Sequence, residues 1–174
     1  MKNSILAVAV SLALVSLGTP ASAHVVLQDK EAEAGASYRA VLVVGHGCGE
    51  APTTALRVQI PEGLYNVKPM PKPGWTIETV VGPYQTPFMN HGTELTEGVK
   101  EISWTGSSLP DDFFDEFTFR GTFGPHIEAG SHLYFPVIQT CGDEESPWID
   151  QSGDPEVEFP APAVMLAPAA EHAH

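Results

Sequence analysis

Residues 54–63 read TALRVQIPEG, and this short stretch decides the class of fold. Leu56, Val58 and Ile60 alternate with Arg57 and Gln59. That period of two belongs to a strand with one face on a core, since a helix would repeat its apolar residues near every 3.6. Pro61 stops the run because proline brings no N–H to a ladder, and Pro61-Glu62-Gly63 makes a turn. Working outward, residues 25–27 and 38–44 read as strands on the N-terminal side. Residues 75–81, 99–104, 113–123, 133–139, 156–159 and 164–166 read as strands on the other. Pro136 interrupts one of these and places that part at an edge or a bulge.

Sixteen Gly and sixteen Pro are too many for a helical bundle and suit a chain of short strands and turns. Together with the strand spacing they predict an all-β chain, a single antiparallel β-sandwich of immunoglobulin-like or cupredoxin-like type. No internal repeat or interior linker divides it, so residues 24–168 form one domain. Residues 169–174 read as a flexible tail containing His172 and His174.

Residues 1–23 read as a secretory signal peptide: Lys2 supplies the positive start, an apolar run follows, and Ala21-Ser22-Ala23 is a small-residue cleavage site. The apolar run is about 13 residues, short of the roughly 20 that span a bilayer. The expectation is a periplasmic or secreted protein with no membrane span after cleavage. Without Lys2, seven Lys and Arg face 22 Asp and Glu, a formal charge of −15. Such a charge argues against nucleic acid and anionic membrane surfaces as partners.

Cleavage after Ala23 would make His24 the first residue. A free α-amino group has a pKa near 8, so it yields its proton to a metal more readily than lysine does. Its nitrogen and the His24 Nδ1 can chelate one ion in a six-membered ring, a planar pair of nitrogens that suits Cu(II). The alternative is that histidine follows the cleavage site by accident. The two cysteines, Cys48 and Cys141, are even in number and belong to an oxidising compartment, which favours a disulfide; the competing reading is a pair of thiolate ligands without CxxC spacing.

Phosphate loops, HExxH and GxSxG are absent from the sequence, and the reading is not an enzyme. Asp111-Asp112 and Glu144-Glu145 read as solvated turns. His46 sits in the glycine-rich loop Gly45-His46-Gly47-Cys48-Gly49-Glu50, whereas His91, His126 and His132 read as surface or turn residues. Trp75 and Trp104 fall in strand patterns and read as core. Trp148, in the polar stretch Ser146-Pro147-Trp148-Ile149-Asp150, either packs over an edge or lines a site.

With these residues in view, the chain resembles the YcnI (YncI) family of periplasmic or cell-surface copper-binding domains. The resemblance rests on His24-Val25 after the cleavage site, residues 31–35, Pro52-Thr53-Thr54, residues 57–63 and Pro71-Lys72-Pro73-Gly74-Trp75. Gln139, Trp148 and Pro160-Ala161-Pro162 complete it. It implies a β-sandwich holding one Cu(II) by a mono-histidine brace, with His24 giving amine and Nδ1, a glutamate giving its carboxylate, and Trp148 close to the metal. Glu50 is the nearest carboxylate to the family's position, and His46 is its rival.

The expected function is therefore copper homeostasis outside the cytoplasmic membrane, with copper ion as the ligand and a membrane copper transporter or copper chaperone as the class of protein partner. A metal-free sandwich used for protein contact and an oxidative copper enzyme are the alternatives.

Overall fold

The computed structural model describes residues 24–154 and 156–168; the signal-peptide and tail readings, over 1–23 and 169–174, lie outside them. In chain order the strands are β1 (Val26–Leu27), β2 (Glu31–Glu33), β3 (Ser37–Val44), β4 (Ala55–Gln59), β5 (Leu64–Pro69) and β6 (Thr76–Asn90). They continue with β7 (Thr93–Thr105), β8 (Asp115–Phe123), β9 (His132–Tyr134), β10 (Val137–Cys141), β11 (Glu144–Trp148) and β12 (Ala163–Ala167). No helix among the described residues is long and apolar enough to cross a membrane.

One sheet has the order β1-β3-β8-β5 and a second the order β11-β10-β4-β7-β6, all pairs antiparallel. A small third sheet, β2-β12-β9, pairs β2 with β12 in parallel. Alternation along the strands sends Leu42, Phe117 and Phe119 of the first sheet, Leu56, Ile102 and Trp104 of the second, and Val164 and Leu166 of the third into one core. Trp104 and the half-buried Trp75 meet Phe117 edge-on from two sides, with ring centroids 5.5 and 5.0 Å away. Both tryptophans thus belong to the packing. Truncating a fully buried Phe117 to alanine costs about 3–5 kcal/mol in lost transfer energy and cavity.

The 54–60 strand is where the alternation puts it, with Leu56 and Val58 fully buried and Arg57 and Gln59 exposed. Elsewhere the strand reading needs correction. Residues 133–139 are two strands in different sheets, not one: β9 joins the third and β10 the second. Pro136 separates them, and its carbonyl accepts the Gln59 N–H at 2.9 Å, so the chain changes sheets where proline offers no donor. Residues 156–159 form no strand. β6 and β7 are far longer than the apolar residues suggest, because most of this hairpin lies outside the core. Its two-residue turn, His91-Gly92, has both φ angles positive (48° and 85°), as a tight turn matched to strand twist requires.

A second, smaller cluster holds the outer part of that hairpin. Tyr65 of β5 stacks on Phe88 at 4.6 Å and 4°, and meets Tyr84 edge-on at 4.8 Å. Beside it the Glu62 carboxylate accepts the Lys100 ammonium at 2.8 Å and the Gln85 N–H at 3.0 Å.

Candidate metal site

β1 is only two residues long, yet it fixes His24. Val25 and Leu27 are buried in the core and Val26 pairs with Val43, so the preceding residue is anchored at the end of the first sheet. Continuing that antiparallel register places His24 opposite Gly45, at the start of the glycine-rich loop.

The His24 ring meets Trp148 edge-on, with centroids 5.5 Å apart and planes inclined by 63°. Trp148 ends β11, the edge strand of the second sheet, and is 4 % exposed. Phe159 packs on it from another side, at 5.1 Å. The polar, proline-containing stretch around Trp148 is therefore a strand whose indole turns inward.

Gln139 holds the indole in place. Trp148 Nε1 donates to Gln139 Oε1 at 3.0 Å, while Gln139 Nε2 donates to the His46 carbonyl at 2.8 Å and to Thr53 Oγ1 at 2.7 Å. Gln139 and Thr53 are both buried, so this amide spends both N–H groups and its carbonyl inside the protein, as a buried polar group must. Sequence reasoning gave Gln139 no role beyond the family resemblance. Its signal is a lone amide at an inward position of a strand.

Besides that bond from Gln139 to the His46 carbonyl, two further ties hold the glycine-rich loop. Cys48 and Cys141 form a disulfide, which settles the choice between bridge and paired thiolates. Gly47 N–H donates to Asp111 Oδ1 at 2.8 Å. Gly47 admits no side chain: a Cβ there would stand 1.9 Å from the Ala51 carbonyl oxygen.

His46 and Glu50, the rival donors, are placed differently. The His46 ring contacts the Gly47 carbonyl and has its Nδ1 3.9 Å from Asp111 Oδ1; its backbone carbonyl, not its ring, joins the Gln139 network. Glu50 is exposed and lines a hollow with Asp111 and Asp112. The structure therefore brings His24 and Trp148 together and sets the His46 and Glu50 side chains beside Asp111. Among the described residues no three His, Cys, Asp or Glu side chains are grouped to hold an ion by themselves. On its other side His24 opens into a cleft of about 400 Å³ that it shares with Lys30, His132 and Met165. His132 reads from the sequence as a surface or turn residue and is exposed, but nothing in its local sequence signals this neighbourhood.

These features define a class: an immunoglobulin-like β-sandwich with a histidine–tryptophan pair at one end, braced by a disulfide-linked loop. The chain belongs to the DUF1775 family, a domain of unknown function whose family model matches residues 24–166. A crystal structure of an uncharacterized protein from Nocardia farcinica, reported as an immunoglobulin-like fold, is similar with a TM-score of 0.62 and 24% identity. The match covers 83% of this chain and 98% of that one. No functionally curated protein matches.

Proposed function

We propose that this is an exported Cu(II)-binding protein of copper homeostasis, which takes up the ion through His24 once the residues before it are removed. The observation that carries the reading is the edge-on packing of His24 against a buried Trp148 whose N–H is already committed to Gln139. The indole limits the ring's freedom and shields one side of it from water, the kind of apolar surrounding that tunes a bound ion. A freed α-amine and the His24 Nδ1 supply two nitrogens from one residue, matching the tetragonal preference of Cu(II). A carboxylate, with Glu50 as the choice and the His46 imidazole as its rival, completes the set after a loop adjustment.

The acidic surface raises the local cation concentration without specificity. Both nitrogens must be unprotonated to bind, so taking up the ion releases protons and acid competes with it. The ion would be exchanged with a membrane transporter or a copper chaperone.

The test is mass spectrometry of the secreted protein followed by Cu(II) titration and paramagnetic resonance. The expected result is a chain starting at His24 that binds one Cu(II) with at least two nitrogen donors. A mature chain starting elsewhere, or one without bound nitrogen, overturns the reading.

A further inference from the structure

The cleft beside His24 contains a second set of donors that the Cu(II) reading does not use. Met165 of β12 and His132 of β9 are direct antiparallel partners. Side chains at such positions leave the sheet on the same face, with Cβ atoms about 4.5–5.5 Å apart. That face is the outer one, because the neighbouring Val164 and Leu166 are buried in the core while Met165 is half-buried and His132 exposed. Both residues line the cleft.

We infer that Met165 and His132 form a copper site of their own, selective for Cu(I). A thioether is a soft donor that favours Cu(I), and an imidazole accepts the same ion. The surroundings select the lower charge. Lys30 lines the same cleft, and its repulsion of a singly charged ion is half that of Cu(II) at equal distance. Glu31, the parallel partner of Met165 on the opposite side of β12, partly offsets that cation. Val26, Pro160 and Pro162 give the cleft an apolar wall, which disfavours a strongly hydrated dication. The site needs no new terminus, so it stands independently of the His24 reading.

Anaerobic titration of the protein with Cu(I), in competition with a colorimetric Cu(I) chelator, tests this. The expected result is one Cu(I) bound, with affinity reduced tenfold or more in Met165→Leu and in His132→Ala, and unchanged in Met70→Leu. Leucine conserves the volume of methionine, so Met165→Leu should keep the fold. X-ray absorption at the copper edge should show a sulfur scatterer that Met165→Leu removes. Native Cu(I) affinity in Met165→Leu overturns the inference, as does Cu(I) binding lost in His24→Ala but retained in Met165→Leu. Cu(II) titration of the same variants reports the His24 site separately, so either site can fail alone.

Discussion

Gln139 and Trp148 are joined side chain to side chain across the β10–β11 pair, with the indole N–H 3.0 Å from the amide oxygen. The same amide reaches Thr53 and the backbone of His46. One buried residue therefore links the wall of the His24 site, the glycine-rich loop and the start of the segment entering β4. Replacing Gln139 by leucine strips partners from the Trp148 N–H and the His46 carbonyl together. The expected loss is about 1–3 kcal/mol for each buried group left unmade, read from urea unfolding.

His24 offers a contrast between binding and folding. Adding one residue ahead of a mature His24 converts its amine to an amide while keeping the imidazole and Trp148. Cu(II) affinity should fall by more than about 100-fold, beyond what loss of a supporting partner causes. The unfolding midpoint of the metal-free protein should stay the same. Calorimetric titration and thermal melting check the two halves.

Gly47 is a steric position. Alanine there drives its Cβ into the Ala51 carbonyl, which is backbone and cannot swing aside. Gly47→Ala should destabilise the protein by about 1–3 kcal/mol, the usual cost of overpacking. A stability change below a few tenths would show the loop to be more pliant than this geometry allows.

Reduction of Cys48–Cys141 removes a cross-link across 93 residues of sequence. Chain entropy puts its contribution at about 4–5 kcal/mol. The paired alanine variant should unfold at lower denaturant by that amount, and reductant should affect the native protein but not the variant.

Glu62 gives a pH dependence. Burial pushes its carboxyl up, but the Lys100 ammonium and the N–H groups of Thr86 and Gln85 outweigh that and leave it below its ordinary value. A group lowered in the folded state contributes stability above its unfolded pKa and loses it as pH falls through the folded one. The native protein should therefore lose stability on acidification below about pH 4.5 more steeply than Glu62→Gln, measured by thermal melts between pH 7 and 3.

The core strands were legible because their periodicity is local: Leu56, Val58 and Ile60 announce a buried face without help from other residues. β2, β5 and β11 were not. Leu64, Tyr65 and Val67 of β5 are buried but do not alternate strictly, since Asn66 bends the backbone to a positive φ of 51°. β11 has only Trp148 as an apolar inward residue, and its strand character comes from pairing with β10. The His24–Trp148 meeting follows from two sheets closing on each other, which no spacing encodes. The disulfide was readable from cysteine count, whereas the placement of His46 beside Asp111 depends on a contact 65 residues away in sequence.

The stacked Tyr65–Phe88 pair has a dynamic corollary. The outer part of the long hairpin is fastened by its own aromatic knot, the Glu62–Lys100 ion pair and hydrogen bonds to the Glu62 carboxylate and the Tyr84 hydroxyl, not by the central core. Such an arm can detach and reseat while the sandwich stays shut, a sub-global opening with its own, smaller free energy. Amide hydrogens near Phe88 of β6 and Leu95 of β7 should then exchange with solvent well before those of Ile102 and Trp104, giving two protection levels between Leu95 and Trp104 within the single strand β7.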